Sequence, residues 1–266
     1  MISTQRMLMG ALAGDVIGSR FEFHPEKIED FELFTPRSRF TDDSVMTIAV
    51  ADALLHSIPY AEALRAWGRK YPNAGYGGNF SNWLRAKDPR PYGSFGNGSA
   101  MRVSPVGWAF ETEAEVLAEA ERSAAVTHNH PEGIKGACAA ALAIFLARRG
   151  ADKAAIMAEI AARFGYDLER RLDQIRPGYH FDVTCQGSVP EALTAFIEST
   201  SAEDAIRKAV SLGGDTDTQA CIAGAVAEAF YGPLPAEIVQ GTLSRLPEEM
   251  QAVLEAFNQR FGGKDG

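Results

Sequence analysis

Apolar residues recur at three- and four-residue spacing along most of the chain, which is the period of a helix that buries one face. Val45, Ile48 and Ala49, for example, would share one side of a helix. The pattern predicts helices over residues 43–56, 111–125, 132–149, 151–164, 189–199, 202–211 and 218–231. Glycine and proline separate these segments, and no sustained alternation of apolar and polar residues indicates a strand. The sequence therefore predicts one all-α domain.

The segment 68–107 departs from this pattern. It is rich in glycine and also carries Tyr, Phe and Trp residues. A loop of this length inside a compact domain is usually disordered or a binding surface, and the aromatic content argues against disorder. We therefore expect a long loop that carries binding residues. The domain is expected to span residues 1–262, with a short polar tail over 263–266 that frays.

Charge and cysteine usage narrow the class of protein. With 26 Lys and Arg against 35 Asp and Glu, the net charge is −9, which disfavours a nucleic-acid binder, although a modified nucleic acid remains possible as a substrate. No run of apolar residues is long enough to span a membrane. Cys138, Cys185 and Cys221 are widely spaced and form no CxxC motif. These features predict a reduced, cytoplasmic protein without a disulfide framework, and we expect a monomer.

Two short acidic clusters stand at predicted helix starts. The first is Thr41-Asp42-Asp43, and the second lies within residues 213–218, GGDTDT. Carboxylates and hydroxyls without neighbouring His or Cys are hard oxygen ligands that suit Mg²⁺, Mn²⁺ or Ca²⁺ rather than Zn²⁺. The alternative interpretation is helix capping, because Thr and Asp are common cap residues.

Capping alone would use only one polar group in each cluster, so two clusters of three groups favour a metal site. If the fold brings them together, four carboxylates would repel one another unless cations neutralise them, and two divalent ions would balance the charge. Since 175 residues separate Asp42 from Asp217, the sequence alone does not establish that the clusters meet.

Three further elements carry candidate chemistry. Glu22 lies in an aromatic loop, where a carboxylate is either a base or hydroxyl anchor, or simply solvated. The segment 94–102 has glycines at Gly96 and Gly98 that would expose backbone N–H groups to a phosphate, although many such segments are only turns. His128, in THNHP, would contact a ligand or cap a helix.

Together these pieces resemble the ADP-ribosylglycohydrolase family. The resemblance extends from about residue 5 to about residue 232 and rests on five motifs in order: GDVIGSRFE, FTDDSVMT, FGNGSAMRVSPVG, THNHPEGIKGA and GGDTDTQACIAGAVAEAFYG. It implies a compact, single-domain, orthogonal helical bundle around a cleft with a dinuclear metal site. The implied cofactors are two divalent cations, Mg²⁺ or Mn²⁺.

The resemblance also implies roles for particular residues. The implied metal ligands are Thr41, Asp42, Asp43, Asp215, Asp217 and Thr218, with Asp217 contacting both ions. The implied catalytic residues are Glu22, Asp43 and Asp217. The implied substrate-binding residues are Phe95, Gly96, Asn97, Gly98, Ser99, Met101 and His128. Asp15 is expected to hold a helix and a loop together rather than to contact a metal ion.

The implied reaction is hydrolysis of the glycosidic bond between ADP-ribose and a protein side chain such as arginine or serine, which reverses mono-ADP-ribosylation. Nucleobase-linked and small-molecule conjugates are alternative substrates. A metal-dependent phosphoesterase acting on a nucleotide and a non-enzymatic ADP-ribose-binding module are alternative functions. The segments 57–95 and 165–188 are expected on the acceptor side, where Tyr92, Arg176 and Tyr179 either contact the acceptor or are ordinary surface residues.

Overall fold

Helices joined by loops make up residues 7–262, the part of the chain that the computed structural model describes. In chain order they are α1 Met9–Gly18, α2 Asp42–His56, α3 Tyr60–Lys70, α4 Gly78–Arg85, α5 Gly98–Met101, α6 Ser104–Ala109, α7 Glu113–Ala125, α8 Pro131–Arg148, α9 Lys153–Phe164, α10 Leu172–Ile175, α11 Cys185–Ile197, α12 Ala202–Ser211, α13 Thr216–Tyr231, α14 Ala236–Leu243 and α15 Glu248–Phe261. Within this range no strand forms, and an isolated bridge joins Gly96 to Thr184.

Helices α8 and α13 form the centre of the molecule. Nearly every residue of α13 is buried, and α8 buries most of its Ala-rich length, so both are surrounded by other parts of the protein on nearly all sides. Helices α3 and α12 have one buried face and one charged face, which is the pattern of an outer helix. The central helices therefore carry the core, and the amphipathic ones cover it.

The N-terminal helix α1 packs directly against α13 through glycine. A Cβ on Gly14 would collide with the backbone carbonyl of Ala220, and a Cβ on Gly10 would collide with that of Gly224. Only glycine at these positions lets the two backbones approach so closely. The contact places the end of α1 beside the start of α13.

The prediction of an all-α fold is confirmed, and all seven predicted helices are present within a few residues of their expected ends. The prediction of a long loop over 68–107 is wrong, because α4, α5 and α6 lie within it and α3 extends to Lys70. Phe80, Trp83 and Leu84 explain α4, since they share one buried face although the segment begins with two glycines. Helices α10, α14 and α15 were not predicted either.

Several other features bear on the class of protein. Cys138, Cys185 and Cys221 are free and buried. Among residues 7–262, no helix has the length and apolar character needed to cross a bilayer. The tail predicted over 263–266 lies outside the described residues.

Candidate active site

A cleft of about 430 Å³ opens where the starts of α2 and α13 meet. The end of α1 borders the same region, because Thr216 at the start of α13 donates a hydrogen bond of 3.0 Å to the carbonyl of Gly18. Asp42, Asp43, Asp215, Asp217 and Thr218 line the cleft. The fold therefore brings the two acidic clusters together across the 175 residues between Asp42 and Asp217.

Asp15 connects α1 to the start of α2. Its carboxylate accepts hydrogen bonds from the backbone N–H of Thr41 at 2.9 Å and from the Thr41 hydroxyl at 2.6 Å. It also accepts from the N–H of Ser44 at 3.0 Å and from the Ser44 hydroxyl. These bonds satisfy a fully buried carboxylate, and they hold the helix and the loop together as the sequence predicted.

The capping interpretation holds for one cluster but not for the other. Thr41 is the N-cap of α2, and its hydroxyl accepts the N–H of Asp43 at 3.3 Å. Asp215 occupies the N-cap position of α13, yet its side chain makes no capping hydrogen bond. Instead it accepts from the side-chain amide of Asn97 at 2.7 Å. Asp215 is thus held from the glycine-rich segment, facing into the cleft.

Carboxylate oxygens converge in two groups that have one member in common. Oxygens of Asp15, Asp43 and Asp217 lie within 4.8 Å of one another, and so do oxygens of Glu22, Asp215 and Asp217. The buried Oδ1 of Asp43 has no hydrogen-bond partner. Oxygen atoms so close, with one left unpartnered, have the donor chemistry of a hard-cation site. Asp217 belongs to both groups.

Burial and mutual repulsion raise the pKa of these acids. For Asp42, Asp43 and Asp217, burial is the largest cause, and neighbouring carboxylates raise the pKa further. The pKa of Asp215 rises to about 6, chiefly through burial. None of these acids forms an ion pair with a Lys or Arg within residues 7–262. These acids therefore repel one another without a Lys or Arg in direct ion-pair contact.

Glu22 lies at the edge of the cleft, half-buried in the loop that follows α1. Burial is the main reason that its pKa rises to about 7, and repulsion from Asp217 adds to the increase, while Arg39 opposes it. A carboxyl group with this pKa exchanges protons near neutral pH. Glu22 is therefore placed where it reaches both the acidic clusters and a molecule entering from solvent.

The glycine-rich segment forms one wall of the cleft. The N–H of Asn97 donates to the carbonyl of Val183 at 2.7 Å, which ties the segment to the loop before α11. The N–H groups of Gly98 and Ser99 have no acceptor among the described residues. The Ser99 hydroxyl points away from the cleft and donates to Gly133 at 2.7 Å. Of this segment, then, Gly98 and Ser99 offer backbone donors to a ligand.

Other predicted binding residues differ in their surroundings. Gly96, Met101 and His128 line the cleft. Phe95 does not line it. Its ring is 46% exposed and packs edge-on against His130, with ring centroids 5.3 Å apart. His130 rather than His128 caps α8, accepting the N–H of Glu132 on its side chain.

On the predicted acceptor side, Tyr92 lines the cleft but Arg176 and Tyr179 do not. Arg176 forms an ion pair with Glu29, and the Tyr179 hydroxyl donates to the carbonyl of Gly187 at 2.7 Å. Those two residues fasten loops instead.

Several residues that line the cleft were not singled out from the sequence: Phe23, Met46, Gly75, Gly77, Gly78, Asn79, Phe80, Arg102, Phe181 and Val183. Those from Gly75 to Phe80 lie within the segment 57–95, and Phe181 and Val183 lie within 165–188, the two segments that were expected on the acceptor side. Phe23 and Phe181 are both largely exposed, and their nearly parallel rings have centroids 6.5 Å apart.

Comparison with known proteins identifies the family to which the fold and the acidic cleft belong. The family model described as ADP-ribosylglycohydrolase matches residues 4–265. ADP-ribosylhydrolase ARH3 from Mus musculus is 28% identical, over 95% of this chain and 87% of the relative. ADP-ribosylarginine hydrolase Tri1 from Pseudomonas putida (strain GB-1) is 29% identical, over 85% of this chain and 69% of the relative.

Among solved structures, one described as an ADP-ribosylglycohydrolase-related protein complex superimposes with a TM-score of 0.71. It is 26% identical, and the match covers 95% of each chain. The shared fold, the match along nearly the whole sequence and the acidic cleft agree with one another. The chain belongs to the ADP-ribosylglycohydrolase family, enzymes that hydrolyse the glycosidic bond between ADP-ribose and its acceptor.

Proposed function

We propose that this enzyme removes ADP-ribose from protein side chains and that it does so with two divalent cations, Mg²⁺ or Mn²⁺. The observation that carries the proposal is the sharing of Asp217 between two groups of converging carboxylates. A carboxylate that belongs to both groups would be suited to hold two cations. The proposed ligands are Thr41, Asp42, Asp43, Asp215, Asp217 and Thr218.

The residues present fit hard cations for two reasons. The donor set is made only of carboxylate and hydroxyl oxygens, and the buried Oδ1 of Asp43 lacks a partner. Two divalent cations would also neutralise four clustered carboxylates that have no Lys or Arg partner among residues 7–262. When bound, such cations supply Lewis acidity toward sugar hydroxyls and lower the pKa of water.

In the proposed mechanism, Glu22 acts as the base. Its carboxylate accepts the proton of an attacking water molecule or holds a hydroxyl of the ribose next to the scissile bond. A pKa of about 7 suits proton exchange near neutral pH. Asp43 and Asp217 complete the proposed catalytic set by orienting the sugar from the acidic clusters beside Glu22. The proton acceptor and the sugar anchors thus surround the same point of the cleft.

The glycine-rich segment is proposed to bind the diphosphate of ADP-ribose. The backbone N–H groups of Gly98 and Ser99 are available as donors. Asn97 contributes indirectly, because its amide holds Asp215 and also donates to Ser188 at 3.1 Å. Gly96, Met101 and His128 complete the proposed binding surface.

The proposal is tested by measuring free ADP-ribose released from arginine-, serine- and nucleobase-linked substrates, with Mg²⁺, with Mn²⁺ and with EDTA. We expect metal-dependent release from a protein side chain. Glu22→Gln should lower turnover by about 100-fold or more, the typical contribution of a general base. Glu26→Gln, on the exposed part of the same loop, is the matched control and should leave turnover unchanged.

Each alternative has a distinct outcome. Full release in EDTA would contradict the cation requirement, and full turnover of Glu22→Gln would contradict the role of Glu22. Formation of AMP instead of ADP-ribose would indicate a phosphoesterase. Release from the nucleobase-linked substrate alone would replace the protein acceptor with a nucleic acid.

A further inference from the structure

Behind the glycine-rich segment, three side chains form a continuous line of hydrogen bonds. Nη2 of Arg102 lies 3.0 Å from Oγ1 of Thr127, and that oxygen lies 2.7 Å from Nδ1 of His128. All three residues are buried, with exposures of 1%, 0% and 5%. In such a dry environment the direction of each hydrogen bond is set by its partners.

The chemistry of the first two residues fixes where the protons lie. An arginine guanidinium has donors and no acceptor, so the Thr127 oxygen accepts from Arg102. The hydroxyl proton of Thr127 then needs an acceptor, and Nδ1 of His128 is the one that the described residues provide. Nδ1 is therefore unprotonated, and the ring proton of a neutral His128 is on Nε2.

His128 is neutral at physiological pH. Burial is the main cause that lowers its pKa well below the ordinary value, and the positive charge of Arg102 lowers it further. Because the ring does not carry a proton on both nitrogens, its behaviour toward a ligand depends on its tautomer. The tautomer with a proton on Nε2 presents a donor, whereas the other would present a lone pair.

Nε2 of His128 faces the glycine-rich segment. A Cβ built on Gly98 would lie 3.2 Å from this nitrogen, and one on Gly96 would lie 3.7 Å away. Nε2 makes no hydrogen bond with residues 7–262, and His128 lines the cleft. An N–H group here would donate to a molecule bound over Gly96 and Gly98.

Arg102 is a second feature that indicates an anion. Its guanidinium is fully buried and lines the cleft, yet it has no ion-pair partner within the described residues, and its Nε has no hydrogen-bond acceptor. A buried positive charge without a counter-charge is costly, and an anion bound nearby offsets that cost.

We infer that Arg102 and Thr127 are positioning residues that fix the tautomer of His128, so that its Nε2–H donates to the diphosphate of ADP-ribose. The inference rests on the proposed function for the identity of the anion. Without the Thr127 hydroxyl, the ring is free to place its proton on Nδ1, and its lone pair then faces a negatively charged oxygen. The line of hydrogen bonds thus makes a neutral histidine a hydrogen-bond donor toward a bound anion.

The test compares Thr127→Val, which removes the hydroxyl while keeping the shape, with Thr127→Ser, which keeps the hydroxyl. Thr242→Val is the matched control, because Thr242 is fully buried in α14 and its hydroxyl has no partner. The first readout is the ¹⁵N shifts of the His128 ring in the ligand-free protein, assigned with His128→Gln. The second is ADP-ribose affinity by calorimetry, with kcat and KM measured alongside.

We expect the wild-type ring to be protonated on Nε2 and the Thr127→Val ring to be at least partly protonated on Nδ1. ADP-ribose affinity of Thr127→Val should fall about tenfold, the usual effect of losing a hydrogen bond to a charged group. KM should rise while kcat changes little, because the contact is made equally before and during the reaction. Thr127→Ser and Thr242→Val should resemble the wild type.

A wild-type ring protonated on Nδ1 would overturn the inference. So would a Thr127→Val protein that keeps both the Nε2 proton and the wild-type affinity. If the wild-type ring carries the Nε2 proton but the protein does not bind ADP-ribose, the proposed function fails, and with it the diphosphate as the acceptor. The ring measurement in the ligand-free protein separates these two failures.

Discussion

Helix α13 carries a buried acid near each end, and the two have opposite surroundings. Asp217, at its start, lines the cleft, and carboxylate oxygens of Asp15, Asp43 and Asp215 lie within 4.8 Å of its own. Glu228, near its end, lies in the core and accepts the N–H of Gly10 at 2.9 Å, at the start of α1. One acid is surrounded by like charges, and the other is held by the positive end of a helix.

The difference shows how to read a buried carboxylate. Burial alone raises the pKa of both acids, so a raised pKa does not mark a functional site. What separates them is the company of each group. Glu228 has a polar partner that stabilises the fold, whereas the acids around Asp217 repel one another, and the proposed cations would offset that repulsion. A functional site is indicated by several mutually repelling carboxylates that lie beside a cleft.

Among the substitutions that test this comparison, Asp217→Asn should have the largest effect. Because Asp217 is shared by both groups of carboxylates, we expect turnover to fall by about 1,000-fold or more, on the order of 4 kcal/mol in the barrier. In EDTA the same variant should be more stable than the wild type, since one of several repelling charges is gone. Its melting temperature should rise by about 2–4 °C, the shift given by about 1 kcal/mol in a domain of this size.

ADP-ribose release and thermal unfolding in EDTA measure these two effects. Asp30→Asn, at an exposed position of the loop after Glu22, is the control for removing an acid without touching the cleft. A variant that loses both activity and stability in EDTA would show that Asp217 is a structural acid like Glu228.

The next largest effect should be on the stabilisation that a bound cation provides, which is expected to depend on the start of α13 and not on its end. Because a ligand that binds only the folded state stabilises it, Mg²⁺ or Mn²⁺ at 100 times its Kd should add about 2.7 kcal/mol. Asp217→Asn should lose most of this gain, and Glu228→Gln should keep it. Titration of the metal into EDTA-treated protein, followed by thermal unfolding, measures the effect. An equal loss in both variants would contradict the assignment of the site to one end of the helix.

The most gradual expected effect is the pH dependence that Glu228 gives to stability, because it is spread over several pH units. Burial is the main reason that its folded-state pKa rises from 4.5 to about 8, so the folded protein binds this proton more tightly than the unfolded chain. Its contribution is therefore fully present below pH 4.5 and is lost as the pH rises toward 8. The slope in this window is at most about 1.4 kcal/mol per pH unit.

Glu228→Gln removes this titration, so its stability relative to the wild type should increase with pH. Urea unfolding at pH 5, 6, 7 and 8 would measure the difference between the two proteins. Glu62→Gln, on the exposed face of α3, is the matched control. A constant difference between Glu228→Gln and the wild type would show that Glu228 does not change protonation on folding.

The positions of many helices could be predicted from the sequence because they follow from local patterns of apolar and capping residues. The helix start at Thr41 was evident from its cap residues, and α13 began within two residues of its predicted position. The acidic clusters were recognisable because carboxylates and hydroxyls exceeded what capping requires. The family was recognisable because its motifs are short, contiguous and ordered, and the family match confirmed it.

What the sequence did not predict depends on contacts between distant residues. Helix α4 is short and begins at a glycine, so the apolar spacing of Phe80, Trp83 and Leu84 covers too few residues to indicate a helix without the core that it packs against. Thr127 stands in a motif that drew attention to His128, but its hydroxyl gains meaning only beside Arg102. The hydrogen bond from the Ser99 hydroxyl to the carbonyl of Gly133, which turns the hydroxyl away from the cleft, was equally unpredictable from the sequence.

The close packing of α1 on α13 also affects the order in which parts of the chain fold. Gly14 near the beginning of the chain and Ala220 near its end touch backbone to backbone, so some 200 residues are translated between the two halves of one contact. Contacts of such long range form late. A nascent chain that has emerged only through α12 lacks Asp215 and Asp217 altogether. The acidic cleft is therefore complete only after α13 has been synthesised.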